Sequence, residues 1–300
     1  MAELATVYAR QYGSNVYTLA QQKGSRLRNF VTNETMKGEK RSFERVKPTA
    51  AQKLGSRYSD TPLIPTEFDR RTVHKQEFIW ADMLDKFESL DVFIDPTSSI
   101  VAAGGYAMGR IIDDIIIEGA FSGVAYEGKD GLTQKEFPVS QQIPITWEAA
   151  AGASVGLTID KLKEVISRFG KADIDLNDPE NTLYMAVTQS QIDDLANDID
   201  VRSRDYDAIK DLLARRTDTF MGIKFIMTGR LPLTQVDGGY SRMCAAWIKS
   251  GVVLAMAQEI SMEVNTRPDK NNNWQALARL AAGATRLEDA KVQQIYCFEK

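Results

Sequence analysis

Residues 95–119 read DPTSSIVAAGGYAMGRIIDDIIIEG, and this stretch predicts the longest helix of the chain. Asp95 is a good N-cap, and Pro96 suits the first helical position, where its missing N–H costs nothing. Apolar and small residues recur at alternating steps of four and three, the spacing of one continuous helical stripe. We therefore predict a helix over residues 96–119. Its glycine pair, 104–105, would permit a bend or the close approach of another element.

The same helix carries charges at helical spacing. Arg110 precedes Asp113 by three positions and Asp114 by four, so it can pair with either carboxylate. Adjacent residues on a helix point about 100° apart, so the two carboxylates cannot converge on a substrate as a catalytic acid and base must. We predict that these three residues are solvated or lie at an interface.

The following residues predict a compact α+β domain. Thr158 should begin a second helix that stops at Gly170. Residues 183–187 have the composition of a buried strand, and Thr188 with Gln191 forms a capping box for a helix that runs to about residue 197. Further predicted elements are a helix at 206–215 and strands at 223–227, 242–248, 252–257, 260–264 and 292–298. Residues 274–284 permit either a helix or an alternating strand.

The front of the chain differs from this domain. Residues 1–20 could form an amphipathic helix or an extended arm. Residues 30–79 contain short β-like runs that are rich in charge and poor in large apolar residues, which predicts a long two-stranded excursion. Because an isolated hairpin is marginal in water, such an excursion needs a partner surface.

Charge is distributed unevenly along the chain. Residues 1–76 carry 14 Lys and Arg against 7 Asp and Glu, although the whole chain has a net charge of −4. A basic front and an acidic remainder suggest that the front binds something acidic, either nucleic acid or the body of a neighbouring copy. Two solvated faces of one monomer would give the same pattern.

The search for chemistry is negative. His74 is the one histidine of the chain, which excludes sites built from several histidines. Cys244 and Cys297 lie in no CxxC pair, which favours synthesis in a reducing cytoplasm. No phosphate-binding or dinucleotide motif occurs, and residues 269–273 lack the glycine and glutamate of a calcium loop, so they are interpreted as a polar hairpin tip. We predict no catalytic, cofactor or metal site. The longest apolar runs are far below the ~20 residues that span a bilayer, so no membrane partner is expected.

Several short stretches resemble one known family. They are QYGSNVY (11–17), LAQQKGSRLR (19–28), PTAAQK (48–53), DTPL (60–63), IDPTS (94–98), AMGR (107–110) with Asp113 and Asp114, and DTFMGIKF (218–225). The chain thereby resembles the major capsid proteins of tailed bacteriophages, which have the Hong Kong ninety-seven (Johnson) fold. It is similar above all to the capsid proteins of short-tailed phages.

This resemblance implies an anatomy. It implies an N-terminal arm at 1–29, an extended loop at 30–79, a peripheral domain at 80–156 with the spine helix 96–119, an axial domain at 157–251, and peripheral strands at 252–300. It also favours strands for residues 274–284.

The resemblance further implies partners and a location. The partners would be other copies in hexameric and pentameric capsomers, double-stranded DNA on the inner face, and separate scaffolding, portal and decoration proteins. The location would be the virion capsid, after synthesis in the cytoplasm of the bacterial host. Candidate assembly contacts are Lys23, Arg26, Arg28, Arg70, Arg71, Arg110, Asp113 and Asp114.

Two alternatives remain open at this level. An encapsulin-like cellular compartment could share the fold, and a neighbouring gene for a cargo enzyme would favour it. A small cytosolic enzyme or nucleic-acid-binding module would instead need a compact monomer with a convergent polar pocket.

Overall fold

The computed structural model describes residues 21–53, 55, 63–84, 97–147, 153–176, 178–197 and 217–299. The chain divides into two compact units. One comprises residues 1–25, 77–111 and 258–281, and the other comprises residues 26–76, 112–257 and 282–300. The predicted helix at 206–215, the first twenty residues, and Asp95 with Pro96 lie outside the described residues.

Three α-helices occur in the described part of the chain. They are α1 (Thr97–Ile116), α2 (Ile159–Lys171) and α3 (Gln189–Asn197). Helix α1 continues as a π-helical segment, Ile117–Ser122, in which Ala120 and Phe121 are fully buried. The predicted helix end at residue 119 therefore falls inside the π-helical segment, three residues after the α-helix ends.

Helix starts were predicted better than helix ends. The Thr158 hydroxyl caps α2 by accepting a hydrogen bond from the Lys161 N–H at 3.3 Å. At α3 one arm of the predicted capping box is present, since the Thr188 N–H donates to Gln191 Oε1 at 2.9 Å. The predicted stop at Gly170 is wrong: α2 passes through it, and the left-handed residue that follows the helix is Asp173, with φ of 56°.

Fifteen strands are described. They are β1 (Thr32–Thr35), β2 (Lys40–Val46), β3 (Phe68–His74), β4 (Gln76–Leu84), β5 (Ala125–Glu127), β6 (Thr133–Lys135), β7 (Gln142–Ile143), β8 (Leu183–Val187), β9 (Thr219–Phe220), β10 (Ile223–Met227), β11 (Leu233–Val236), β12 (Gly239–Ile248), β13 (Val252–Arg267), β14 (Asn273–Arg286) and β15 (Val292–Glu299).

The strands form three sheets. The largest has the order β7-β15-β12-β8-β10-β9, with β11 paired to β12. A second sheet, β2-β3-β5-β6, contains the predicted two-stranded excursion as an antiparallel pair of β2 and β3. The third has the order β1-β13-β14-β4, so β1 and β4 lie outside the excursion to which the sequence assigned them.

Trp247 lies at the centre of the largest sheet and is fully buried. Its ring centroid is 4.6 Å from that of Phe121, and its indole N–H donates to the Phe30 carbonyl at 2.9 Å. Strand β12 pairs with β15 on one side and with β8 on the other. All six of its side chains from Met243 to Ile248 are buried, as is typical of a central strand.

Residues 252–257 and 260–264, predicted as two strands, form the single strand β13. Strand β14 confirms the extended form of residues 274–284, with Ala276, Ala278 and Leu280 buried at alternate positions. The polar tip between β13 and β14 is also confirmed: Asn271 and Asn272 have φ of 52° and 54°, as a tight turn requires.

The glycine pair of α1 permits the predicted close approach. A Cβ atom on Gly104 would lie 2.5 Å from a ring atom of Trp80, and one on Gly105 would lie 3.2 Å from the Met262 methyl group. Within the described ranges, no helix is both long and apolar enough to cross a membrane.

Candidate functional site

A buried charge network lies where the excursion joins the body of its unit. Strands β3 and β5 pair antiparallel with Arg71 directly opposite Glu127. The Arg71 side chain is 0% exposed, and its Nη2 lies 2.9 Å from Glu127 Oε1 and 2.7 Å from Asp289 Oδ2. One guanidinium thus joins the excursion to the segment between β14 and β15.

Four further side chains complete what we call the loop-root network. Arg45 on β2 binds both Asp69 and Glu127. Lys135 reaches Glu127 at 3.3 Å and Asp289 at 3.0 Å, and Arg286 reaches Asp289 at 2.8 Å. The network consists of Arg45, Asp69, Arg71, Glu127, Lys135, Arg286 and Asp289.

The network lowers the pKa of two of its carboxyl groups, Asp69 and Asp289. Burial alone would raise the pKa of Asp289, but Arg71, Lys135 and Arg286 together lower it below its usual value. Burial likewise opposes ionisation of Asp69, whose pKa is nevertheless lowered by the Arg70 N–H and by Arg45. Among the described residues no acceptor meets Nε or Nη1 of Arg71, so this arginine has more donors than its carboxylates satisfy.

This geometry corrects one candidate contact. Arg71 was expected at a surface between subunits, but it is buried and ion-paired within its own chain. The neighbouring Arg70 points the other way, as strand alternation requires, and its side chain is 37% exposed while it pairs with Glu44 at 2.7 Å. Of the two arginines, only Arg70 is available to a partner.

A second group of candidates meets at α1. Asp113, expected to be solvated or to lie at an interface, is fully buried within its own chain. Its carboxylate accepts hydrogen bonds from the backbone N–H of Arg26 and of Leu27, each at 3.0 Å. The expectation failed because the partners are backbone groups, which leave no mark in a sequence.

The neighbouring charges on α1 have separate partners. Arg110 Nη1 donates to Gln21 Oε1 at 2.8 Å and to the Gln22 carbonyl at 3.3 Å. Asp114 forms a two-pronged ion pair with Arg230, with one arm of 2.5 Å between Arg230 Nε and Asp114 Oδ1. Arg110 is thus bound to residues 21–22, and Asp114 is bound to Arg230.

The remaining basic candidates lie beside this helix contact. The Arg26 guanidinium donates to the Met227 carbonyl at 2.6 Å, although the residue is mostly exposed. Lys23 is exposed and Arg28 is half-buried. The structure thus brings Arg26 to Asp113, whereas Arg71 belongs to the loop-root network and Arg70 pairs with Glu44.

The far end of the excursion exposes apolar side chains. Val46 lies opposite Phe68 in the register of β2 and β3, and these residues are 63% and 69% exposed. Leu63, just before β3, is 93% exposed. An apolar tip on a charged hairpin is the pattern of a surface that packs against a partner.

Few groups on the described residues could do chemistry. His74 Nε2 lies 3.1 Å from the Gly131 carbonyl, and its ring packs edge-on against Tyr126. Both cysteines are buried, and the hydrogen bond to Cys297 and burial raise the pKa of Cys244 well above its usual value. No group of three acidic, histidine or cysteine side chains that could hold a metal ion is found within the described ranges.

Sequence reasoning missed the buried polar groups of the body. Lys161 is fully buried, and its ammonium donates to the carbonyls of Val155, Gly156 and Tyr296 at 2.8–2.9 Å. Glu299 binds Arg242 at 2.9 Å. A lysine among apolar positions of α2 is the one signal that could have indicated the first of these sites.

Comparison with known proteins gives a consistent result. The family described as "Phage capsid protein" matches residues 4–299. The capsid of Ralstonia phage GP4 is 10% identical with a TM-score of 0.73, covering 100% of this chain and 98% of that chain. The capsid of the cyanophage P-SCSP1u is 14% identical with a TM-score of 0.70, covering 98% and 94%. No curated protein sequence matches the chain.

Proposed function

The chain belongs to the phage capsid protein family, and from this membership we propose that it is the major subunit of the icosahedral shell of a tailed bacteriophage that encloses double-stranded DNA. It is a structural protein of the capsid rather than an enzyme. The observation that carries the proposal is the family match over residues 4–299, which includes the excursion, α1 and the largest sheet.

The exposed tip of the excursion supports self-assembly. Burying Val46, Leu63 and Phe68 would each contribute about 1.5–3 kcal/mol, because these large apolar side chains are mostly exposed in the isolated chain. Repeated around closed rings of copies, many such contacts give a shell even when each is weak.

The domain boundaries follow the family anatomy. We assign the arm to residues 1–29, the extended loop to 30–79, the peripheral domain to 80–156 with 252–300, and the axial domain to 157–251. In this assignment, the loop-root network lies where the loop meets the peripheral domain.

The proposed partners also follow from the family membership. Copies of the chain would form hexameric and pentameric capsomers, with separate scaffolding, portal and decoration proteins. The basic residues Lys23, Arg26 and Arg28 suit either DNA on the inner face or an acidic surface of a neighbouring copy. Synthesis would take place in the cytoplasm of the bacterial host.

Negative-stain electron microscopy of the purified protein, alone and with lysate of its native source, tests the proposal. Closed shells, tubes or rings of capsomers are the expected result. A uniformly small monomer in both samples would overturn it. The variant Arg70→Glu should fold but assemble poorly, whereas Lys163→Glu, which also reverses an exposed charge, should assemble normally.

A further inference from the structure

The loop-root network carries more positive than negative charge. It sets the three carboxylates of Asp69, Glu127 and Asp289 against four cations, which are Arg45, Arg71, Lys135 and Arg286. One positive charge therefore has no counterpart within the network. The side chains of Arg71 and Arg286 are both 0% exposed, so bulk water cannot compensate for this charge. Burial and, to a smaller extent, the charge of Arg71 lower the pKa of Arg286, although Asp289 opposes this shift.

The carboxylate oxygens are shared among these cations. Glu127 Oε1 lies 2.9 Å from Nη2 of Arg71 and 3.1 Å from Nη2 of Arg45. The same oxygen lies 3.3 Å from Nζ of Lys135. Asp289 Oδ2 likewise lies 2.7 Å from Nη2 of Arg71 and 3.0 Å from Nζ of Lys135. Each of these two oxygens thus serves several donors, and acceptors are in short supply.

Donors are left over on the two arginines that share Glu127. Both ion pairs of Arg71 use Nη2, and no acceptor in the described part of the chain meets its buried Nε or Nη1. The buried Nε of Arg45 also meets no acceptor on the described residues. A buried donor without an acceptor is costly, and more so on a charged group. These three nitrogen atoms therefore indicate that the network can take one more acceptor.

The chemistry of the ligand follows from these groups. Guanidinium and ammonium nitrogens only donate, so the ligand must accept hydrogen bonds, and the excess charge favours a ligand with a single negative charge. Arg71 is fully buried, so the ligand must be small, and a carboxylate on a neighbouring copy would have to displace the strands to reach it. The side chain of Lys135 is 45% exposed, which gives a small ion an entrance at the edge of the network. A halide ion such as chloride meets all of these requirements.

We propose that Arg71 and Arg45 bind one halide ion, chloride in solution, which completes the loop-root network and stabilises the root of the excursion. The ion accepts hydrogen bonds from the arginine N–H groups that the carboxylates leave unused. The site lies within one subunit and goes beyond the proposed function, so its test needs no assembled shell.

Urea unfolding of the unassembled subunit in chloride tests this site. Sodium chloride replaces sodium gluconate at constant ionic strength, because gluconate is too large to enter but screens exposed charges equally. Once chloride is well above its dissociation constant, the folding equilibrium constant should rise about tenfold for each tenfold rise in chloride, as one site requires. Bromide should act like chloride. Equal stability in gluconate and chloride would overturn the proposal, because screening alone would then explain the salt effect.

Lys135→Met and Lys163→Met form a matched pair of variants. Each removes a half-exposed lysine charge from an ion pair, but Lys163 pairs with Asp160 on α2, outside the network. Lys135→Met balances the charges of the network, so the chloride concentration that gives half of the effect should rise about tenfold or more. Lys163→Met should stay within about twofold of the unchanged protein, because exposed charges are screened. An equal response of the two variants would mean that chloride acts elsewhere.

Anomalous diffraction from crystals of the unchanged protein grown in bromide locates the ion. The expected result is a peak within hydrogen-bonding distance of a nitrogen atom of Arg71 or Arg45. Peaks at other places only, or no peak, would overturn the proposal. If Lys135→Met fails to fold by circular dichroism, Arg45→Lys replaces it in the urea experiment. That substitution keeps the positive charge but removes the buried Nε, and it should likewise weaken the response to chloride.

Discussion

The loop root and the seven-stranded sheet are held together by different interactions. At the loop root, Arg71 is fully buried among carboxylates, and the surrounding strands expose much of their surface. In the sheet, Trp247 is equally buried but packs against aromatic rings, with a single hydrogen bond to a backbone carbonyl. Ion pairs fix the positions of side chains at the loop root, where little apolar surface is buried. Apolar packing fixes them in the seven-stranded sheet.

The two regions should differ in their sensitivity to substitution. Apolar packing tolerates some change of shape, because its energy depends on area and volume. A buried ion network depends on every member, since removing one partner leaves the others charged and desolvated. We therefore expect a substitution of one side chain to lower the free energy of unfolding more at the loop root than in the sheet.

Arg71→Ala is expected to have the largest effect. It should lower the free energy of unfolding by about 3–5 kcal/mol, because Glu127 and Asp289 lose their central buried partner. Urea unfolding of the unassembled subunit measures this loss. Arg70→Ala is the control: its pair with Glu44 is exposed, so the change should be at most about 1 kcal/mol. Equal effects at the two positions would contradict the burial of Arg71.

Trp247→Phe should come next. The smaller ring leaves a cavity beside Phe121, and the Phe30 carbonyl loses its donor, for a cost of about 2 kcal/mol. The same urea experiment applies. Trp274→Phe provides the comparison, because Trp274 is 45% exposed and should change stability little. A loss larger than that of Arg71→Ala would reverse the ranking of the two regions.

Acid should weaken the loop root before the sheet. The pKa values of Asp69 and Asp289 are lowered in the folded chain, so the unfolded chain binds more protons as the pH falls. Their stabilisation is present above the ordinary carboxylate pKa of about 4 and is lost as the pH drops below it. Hydrogen exchange at pH 5 and pH 3 should show β2 and β3 losing protection before β8, a strand without a carboxylate side chain. Equal loss in both regions would remove the role assigned to these carboxylates.

The smallest effect is expected at the capping box of α3. Thr188→Ala should cost about 1 kcal/mol, because it removes a hydroxyl that donates to Gln191 Oε1 and to Glu299 Oε1. Thr182→Ala is a suitable control, since the Thr182 hydroxyl bonds an exposed carbonyl outside any α-helix. Thermal unfolding of the two variants distinguishes the loss of these two hydrogen bonds from the general loss of a hydroxyl group.

Local patterns in the sequence predicted local structure well. Strand β8, strand β10, the Thr188 cap and the turn at 271–272 were all placed by periodicity and turn chemistry over fewer than ten residues. Such signals lie within one element, and tertiary packing did not override them. The excursion was likewise recognised from alternation and charge.

Contacts between distant residues were not predictable in this way. Arg71 binds Asp289, 218 positions further along the chain, and Asp113 binds backbone groups 86 and 87 positions before it. A charged side chain far from its partner has the same appearance in a sequence as a solvated one. The candidate contacts Arg71 and Asp113 were consequently expected at the surface and lie inside.

The position of β15 has a consequence for the timing of synthesis. This strand, Val292–Glu299, lies between β7 and β12 in the interior of the largest sheet, and Glu299 is tied to Arg242 and Gln191. The ribosome makes these residues after every other strand of that sheet. A chain released before these residues are made would lack an interior strand, so β7 and β12 would each lose the partner that joins them.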